Sequence, residues 1–502
     1  MSTHRQPSRV GKAVLAVVTS LALLGAFALL AVARMPRTFV DGASAAASAS
    51  HRIVQQRLES YCPAGMELSD STDWGDSEYR ASTGDLATAS TYAAFGSVYA
   101  STATALDVLA DASATVLSAP ENPTSSDAMV GRDDTGVSRV AVTNLLEAGD
   151  GSGMAGVVAS HASEGDLRGI SAATCTAPAM EQSFLLTATS TGVSQRLVLA
   201  NPSSKATTVS IEVRGTAAVG AMTLSTGGTA TVAAESESVV DLSAAASGQD
   251  GLYVTVSSKD APVGAVVRTV AADGLTPKGS DFAMPAAEAS DVNAIASVQE
   301  GDATVLYLYG AKKTTAHVSW ITDGGLKDAG DHETSADRVD VVDLGKAPDG
   351  ARGLLVESDE PLRAMASATR SGEDGQQDFA ILPASASAAS SGAALPEGFD
   401  ARLTFVNASD EDATVTLAFM DEAGKAGEER EVDVPAHAGV AVDGEGSAAY
   451  VEDASDSVSW GVRLSGAGLD PDVVAGLSAT APTALAVREE TVRSTPDGTL
   501  VR

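Results

Sequence analysis

Aromatic and basic residues are both scarce in this chain. Phe, Trp and Tyr make up only 4% of the 502 residues, which leaves few rings for the stacking that lines sugar clefts and single-stranded nucleic-acid grooves. Lys and Arg number 32 against 66 Asp and Glu, so the formal net charge is −34, and no segregated basic patch is present. Because such a surface repels polyanions, we expect no nucleic-acid partner. An acidic surface that keeps the protein soluble explains this charge, and a cation-binding or salt-adapted surface is the alternative.

Residues for nucleophilic catalysis are also sparse. A serine or cysteine nucleophile needs a histidine base and an orienting acid beside it. The chain has no G-x-S-x-G motif, and its six histidines lie far apart, at His4, His51, His161, His317, His332 and His437. Glycoside cleavage needs only two carboxylates, so the abundance of acids decides nothing there. The sequence therefore predicts no catalytic residue and no cofactor.

Three acidic loops are the candidates for a metal site. Residues 410–412, 443–445 and 453–456 carry carboxylates that calcium accepts as ligands, but none follows the order of an EF-hand loop. We interpret them as solvated turns and predict no metal ligand. Residues 149–153 are rich in glycine, yet they lack the lysine and the strand-to-helix setting of a phosphate-binding loop. We interpret that segment as a flexible loop.

Cysteine occurs only twice, as Cys62 and Cys175. Both lie beyond a segment that looks like an export signal, and an oxidising compartment favours their pairing. We predict a disulfide between Cys62 and Cys175, with two free buried thiols as the alternative.

That export signal is an uncharged run over residues 13–33, which Arg5, Arg9 and Lys12 precede. At a rise of about 1.5 Å per residue, it is long enough to cross a hydrocarbon core of about 30 Å. We predict a cytoplasmic tail at residues 1–12, a transmembrane signal anchor at 13–33, and a single-pass protein of the cell membrane whose bulk is extracytoplasmic. Residues 31–33 have the A-x-A form of a cleavage site, so secretion after cleavage is the alternative.

The rest of the chain repeats itself at intervals of about 100 residues. RLVLANP at 196–202 returns as TVLYLYG at 304–310 and as RLTFVN at 402–407, and DFAMP at 281–285 returns as DFAILP at 378–383. Self-similarity of this length indicates an array of small domains. Alternation of apolar and polar residues, as in TTVSIEV at 207–213, indicates half-buried strands. A helix is suggested only at 53–59.

These signals predict an all-β protein of tandem immunoglobulin-like antiparallel β-sandwich units, with a β-propeller as the alternative. The units are joined by linkers, and Arg168, Arg268, Arg370 and Arg463 near their ends either line a repeated interface or cover sheet edges with their stems. The predicted segments are a stalk at 34–60, a divergent β-rich unit at 61–180, sandwich units at 181–288, 289–388 and 389–485, and a C-terminal tail at 486–502.

Residues 165–178 (GDLRGISAATCTAP), followed by LVLANP at 197–202, resemble DUF5719, a family of membrane-anchored extracytoplasmic proteins of actinobacteria known only as a domain of unknown function. The third unit departs from the pattern, because Tyr309 and Gly310 stand where Asn201 and Pro202 stand in the second. The resemblance implies a cell-envelope setting and supplies no activity or site residues.

Our leading functional hypothesis is a membrane-tethered, non-catalytic structural or interaction protein of the cell envelope, a string of sandwiches whose partners are envelope or membrane proteins. The alternative is a ligand-binding or accessory module for an envelope glycosyltransferase or transporter. An enzyme with an unfamiliar carboxylate site is a third possibility.

Overall fold

The structure is a computed structural model that describes residues 17–25, 49–68, 81–106, 113–487 and 489–494, and these are nearly all β. The helical segments in those ranges are residues 17–25, Leu242–Ala245 and a 3₁₀ turn at Glu373–Gly375. The chain divides into two compact units, residues 1–54 with 488–502 and residues 55–487. In the smaller unit the first strand, β1 (Ala49–Val54), pairs antiparallel with the last strand, β34 (Glu489–Ser494).

The predicted anchor at 13–33 is described only in part. Residues 17–25 are helical, and the remainder lies outside the described residues. No helix among the residues that the structure describes has the length and apolarity to cross a membrane. Strands occupy residues 49–54 and 57–62, so part of the predicted stalk at 34–60 is ordered β structure. The helix suggested at 53–59 is wrong, because backbone pairing with other strands overrides the local pattern there.

The larger unit consists of four antiparallel β-sandwiches in series. The first contains β2 (Arg57–Cys62), β3 (Ala87–Phe95), β4 (Val98–Ala105), β5 (Thr115–Val116), β6 (Met129–Asp133), β7 (Arg139–Leu145), β8 (Gly153–Ala162) and β9 (Gly169–Thr174). The second contains β10 (Glu181–Leu186), β11 (Val193–Asn201), β12 (Thr207–Arg214), β13 (Thr229–Val232), β14 (Ser236–Asp241), β15 (Leu252–Ser258), β16 (Gly264–Asp273) and β17 (Thr276–Ala283).

The third sandwich contains β18 (Ser290–Ala296), β19 (Ala303–Gly310), β20 (Thr315–Thr322), β21 (Gly325–Glu333), β22 (Arg338–Lys346), β23 (Ala351–Ser371) and β24 (Gln377–Pro383). The fourth contains β25 (Ser390–Ala394), β26 (Phe399–Asn407), β27 (Ala413–Met420), β28 (Arg430–Val434), β29 (Gly439–Asp443), β30 (Ala448–Glu452), β31 (Val458–Gly466), β32 (Ser478–Thr480) and β33 (Thr483–Ala484).

All four sandwiches share one topology. In the second, one sheet has the order β10-β15-β12-β13 and the other β14-β11-β16-β17, and the first and fourth repeat this order, with β33 added to the fourth. The third differs only because β23 serves both sheets: its first half pairs with β18 and β20, and its second half pairs with β19 and β24. Pro361, which lacks an N–H, stands where the strand passes between the sheets. The predicted all-β class with antiparallel sandwich units is confirmed. The propeller alternative is wrong, because no sheets of the described chain close into one.

The repeated asparagines have a structural role. Asn201 and Asn407 are both fully buried at the ends of equivalent strands. Each side-chain amide donates to a backbone carbonyl four residues ahead, at 2.8 Å, and each Oδ1 accepts from the serine two residues ahead. A side chain that hydrogen bonds the buried backbone groups of a turn in this way fixes the path of the chain there. In the third sandwich the equivalent strand ends at Gly310, so the structure places Gly310, and not Tyr309 as in the alignment of the sequence repeats, at this position.

The sandwiches pack against one another in a closed series, and this differs from the expected string of linked units. Apolar clusters join the first to the second, the second to the third, the third to the fourth, and the fourth back to the first. The contact between the second and third includes the stacked rings of Tyr253 and Tyr309, whose centres lie 3.7 Å apart. Buried apolar area at every junction favours one rigid body over independently moving units.

The strands β9, β17, β24 and β32, one from each sandwich, contact one another at the centre of this unit. Asp281 and Asp378, the aspartates of the two DFA repeats, are fully buried there. Asp281 accepts hydrogen bonds from the Ala172 and Ile381 amides and the Ser478 hydroxyl. Asp378 accepts from the amides of Ile170 and Leu477, both at 2.8 Å. We call these two residues the central aspartates; burial raises the pKa of Asp281 to about 7 and raises that of Asp378 well above its usual value.

Candidate functional site

A cleft of about 690 Å³ opens where the first sandwich packs against the fourth. This volume lies within the range of small-ligand and peptide sites. The first sandwich contributes Phe95, residues 124–127 and residues 150–151, and the fourth contributes residues 425–429 and Tyr450. Loops supply most of the rim and strands supply the floor, so the functional side chains stand on a rigid support.

Backbone contacts hold the two walls together. The Ala128 amide donates to the Gly424 carbonyl at 2.8 Å, and Asp127 Oδ1 accepts from the Ala426 amide at the same distance. Asp127 also accepts from the Thr124 amide, and these two backbone bonds hold the pKa of its carboxyl below the usual value. Beneath them lies an apolar cluster that both sandwiches supply. The cleft is therefore formed before any ligand arrives.

Phe95 and Tyr450 form an aromatic floor. Their ring centres lie 5.9 Å apart, with an angle of 35° between the planes. The Tyr450 hydroxyl donates to Glu452 at 2.9 Å, and burial, helped by the nearby carboxylates, raises the pKa of this phenol to about 12. Gly151 is required beside it, because a Cβ there would lie 2.6 Å from the Tyr450 hydroxyl and its φ is +78°.

The rim of the cleft is strongly acidic. Its charged side chains are Asp127, Asp150, Glu428, Glu429 and Glu452, with Lys425 as the single cation. Of the acids, Asp150, Glu428 and Glu429 are exposed, and no ion pair to a described residue neutralises them. The electrostatic potential in the cleft is therefore negative and suits a cation.

Two shallower depressions extend the cleft in both directions. One, of about 480 Å³, shares Gly96, Asp127 and Asp150 with it; the other, of about 260 Å³, shares Lys425 and Glu428. The first depression is lined by the first sandwich alone and the second by the fourth alone, so the three form a groove that crosses the junction, which we call the junction groove.

A family model matches a large part of the chain. The model of a family described as "Family of unknown function (DUF5719)" matches residues 130–445. The chain belongs to this family. No curated protein and no solved structure matches it. The DUF5719 match includes the acidic residues Asp150, Glu428 and Glu429, whereas Phe95 and Tyr450 lie outside it. The groove thus combines residues from within and beyond the family region.

The cysteines of this DUF5719 chain lie away from the groove. Cys62 and Cys175 form a disulfide inside the first sandwich, and both are buried. Gly156 makes room for the bond, because a Cβ there would lie 2.4 Å from the Cys175 sulfur. The bridge stabilises the fold and does not contribute to the groove.

The histidines do not converge. His317 contacts Asp331 and His437 contacts Asp410, both at the surface. The His161 ring packs edge-on against Phe399, and its partial burial lowers its pKa. His332 lies on an edge strand. His4 and the His51 side chain lie outside the described residues.

The acidic loops separate into independent turns. Asp453 accepts four hydrogen bonds within its own turn, and the carboxylates of the other two loops contact His437, Arg402 and Arg430. Among the residues that the structure describes, no three side chains of metal-binding type come together.

The arginines near the unit ends serve different contacts. Arg463 of the fourth sandwich binds Asp302 of the third, and Arg268 of the second binds Glu67 of the first at 2.6 Å. Arg370 binds Asp302 within its own sandwich. At Arg168, the backbone carbonyl accepts from Gln376 at 3.4 Å. Arg268 and Arg463 each join two neighbouring sandwiches, so these two of the four arginines do lie at interfaces between units.

Sequence reasoning missed the junction groove. The sequence of residues 149–153 indicates only a glycine-rich loop, and in the structure this loop forms one wall. Phe95, Glu428 and Tyr450 carry no local motif and are far apart in sequence, so only the packing of the first sandwich on the fourth brings them together.

Proposed function

We propose that the protein is a membrane-tethered, extracytoplasmic interaction protein of the cell envelope, without catalytic activity, that holds partner proteins in the junction groove. The single observation that carries this proposal is the preformed cleft between the first and fourth sandwiches, with unpaired carboxylates around an aromatic floor. A cleft fixed by backbone bonds loses little entropy on binding, which favours recognition.

The cellular location rests on the sequence and on the disulfide. The uncharged run at 13–33 supports an anchor, and the bond between Cys62 and Cys175 supports an oxidising compartment. Both point to an extracytoplasmic position for the sandwiches.

The distribution of acids supports a non-catalytic role. A general acid in a carboxylate enzyme needs a raised pKa and access to substrate. Among the residues that the structure describes, the carboxyl groups with strongly raised pKa values are the central aspartates, which have no exposure, whereas the pKa of Asp127 in the cleft is lowered. Acidity in the groove therefore suits electrostatic recognition.

Site-specific photo-crosslinking tests the proposal. A photoreactive amino acid replaces Ser126, which is exposed on the cleft rim, and in a control replaces Lys259, which is exposed on the second sandwich. The full-length protein is expressed in its own cells, irradiated and isolated from membranes, and the attached proteins are identified by mass spectrometry. We expect envelope or membrane proteins at Ser126 that are absent at Lys259. Recovery of a glycosyltransferase or transporter would identify the protein as an accessory module of that partner. Identical products at Ser126 and Lys259 would overturn the proposal.

A further inference from the structure

We infer that the junction groove binds an extended polypeptide segment of a partner protein that presents lysine or arginine side chains. This inference rests on the proposed function, because it specifies the partner chemistry of the same site.

The shape of the groove favours a chain over a compact molecule. Its central cleft of about 690 Å³ continues into depressions of about 480 and 260 Å³ on either side. An extended peptide advances by about 3.3–3.6 Å per residue and sends alternate side chains to opposite sides. A segment of several residues can therefore lie across the junction, from the first sandwich to the fourth, and place successive side chains in the three depressions.

The charge of the groove selects cations. Asp150, Glu428 and Glu429 face the cleft without an ion-pair partner among the described residues. The cations on the lining of the groove are Lys425 and Arg430, and Arg430 is already paired with Glu445. Carboxylates elsewhere on the rim are already engaged: Asp127 accepts two backbone amides and Glu452 accepts the Tyr450 hydroxyl. Ammonium or guanidinium groups would supply the missing partners for the three unpaired acids.

The acidity of the whole protein attracts cations everywhere, so the aromatic floor is what distinguishes this groove. A cation above a phenol or phenyl ring is attracted by the negative face of the ring, and more strongly where water is excluded. The fold makes this contact twice within itself, with Arg363 above Tyr253 at 5.9 Å and Arg430 above Phe419 at 5.5 Å. Tyr450, which is only partly buried, offers such a ring face inside the cleft, whereas Phe95 is 2% exposed and packs beneath it.

The test measures binding to the purified full-length chain by fluorescence anisotropy. The probes are fluorescein-labelled hexalysine, hexaglutamine of the same length, and a neutral hexamer of N-acetylglucosamine. The groove variant combines Asp150→Asn, Glu428→Gln and Glu429→Gln. Its matched control combines Asp260→Asn, Glu181→Gln and Glu411→Gln, which removes the same charge from exposed residues outside the groove. All substituted side chains are exposed, and thermal unfolding verifies that both variants fold.

We expect hexalysine to bind, hexaglutamine and the sugar to bind far more weakly, and the groove variant to lose about tenfold in affinity, against less than about twofold for the control. Equal losses in both variants would show diffuse attraction to an acidic surface and overturn the inference. Absent hexalysine binding, or stronger sugar binding, would overturn it as well. If the Ser126 crosslinks persist in either case, the proposed function stands and only the cationic-segment inference fails.

Discussion

The carboxylate of Asp281 and the hydroxyl of Ser478 lie 2.8 Å apart in the interior and join the second sandwich to the fourth. The other oxygen of Asp281 accepts the Ile381 amide of the third sandwich at 2.8 Å. Asp281 also accepts the Ala172 amide of the first sandwich, so this one side chain links all four sandwiches. The central aspartates are therefore the internal support of the rigid unit on which the junction groove depends.

Replacing Asp281 with alanine should destabilise the whole unit. The variant leaves the Ala172 and Ile381 amides and the Ser478 hydroxyl without an acceptor in a region closed to water. We expect the free energy of unfolding to fall by about 3–5 kcal/mol, because unsatisfied buried donors are costly. Denaturant unfolding measures this change. Ser225→Ala is the control, because the hydroxyl that it removes makes a single bond near the surface, and a comparable loss there would contradict the assignment.

Asp281 should also give stability a characteristic dependence on pH. Burial raises its pKa in the folded protein from 3.8 to about 7. Between these values the folded state holds the proton more tightly than the unfolded state, so the contribution is largest at low pH and is lost as the pH rises towards 7. Asp281→Asn removes the titration and keeps an acceptor. We expect the melting temperature of the wild type, relative to this variant, to fall from pH 4.5 to pH 8, and a flat or rising difference would argue against a buried protonated carboxyl.

Arg463 should be a stabilising contact between the third and fourth sandwiches. It donates to both oxygens of Asp302, at 2.7 and 3.0 Å, and Asp302 has no exposure. Arg463→Ala leaves this buried carboxylate with Arg370 as its remaining cation, at an expected cost of about 3 kcal/mol. Arg402 lies opposite on the adjacent strand, half exposed and 3.9 Å from Asp443. Calorimetry should show that Arg402→Ala lowers the free energy of unfolding by less than about 1 kcal/mol. Equal losses for Arg402→Ala and Arg463→Ala would contradict the stabilising role of Arg463.

Gly151 should be required for the shape of the cleft, whereas Gly149 should not. A methyl group at Gly151 meets the Tyr450 hydroxyl and forces a φ of +78° on alanine, while nothing lies within 4 Å of the equivalent atom at Gly149. We expect Gly151→Ala to reduce the free energy of unfolding by about 1–3 kcal/mol, against less than about 0.5 kcal/mol for Gly149→Ala. Tyrosine fluorescence near the cleft offers a second readout. Equal losses of unfolding free energy for Gly151→Ala and Gly149→Ala would contradict the requirement for glycine at position 151.

The repeats made the sandwiches predictable. Residues alternate along β12 because one face of the strand is buried. Asn201 recurs as Asn407 because each hydrogen bonds the turn that follows its strand. Both requirements are local, so both can be recognised in the sequence. The 21-residue strand β23 is continuous, although Pro361 interrupts its sequence pattern where the strand changes sheets. The repeated Asp281 and Asp378 were recognised as a motif, yet their burial depends on contacts among four sandwiches, and no local pattern encodes such contacts.

The junction groove could not be predicted for the same reason. Phe95 and Tyr450 come from opposite ends of the larger unit, and their pairing depends on the first sandwich packing against the fourth. The carboxylates of Asp150 and Glu428 are two of 66 acidic residues, so nothing in the sequence marks them. The groove is assembled by long-range packing, and the glycine-rich loop at 149–153 is the one part of it that stands out in the sequence.

The first and fourth sandwiches form one rigid body around a preformed groove. Spin labels on Glu147→Cys and Glu445→Cys, at opposite ends of the groove, test this by pulsed electron-spin resonance. The two native cysteines are joined in a disulfide and leave the labels unambiguous. We predict a single narrow distance distribution, as sharp as that of a Glu411→Cys and Glu445→Cys pair within the fourth sandwich. A broad or two-peaked distribution would show that the sandwiches move independently and would contradict the claim.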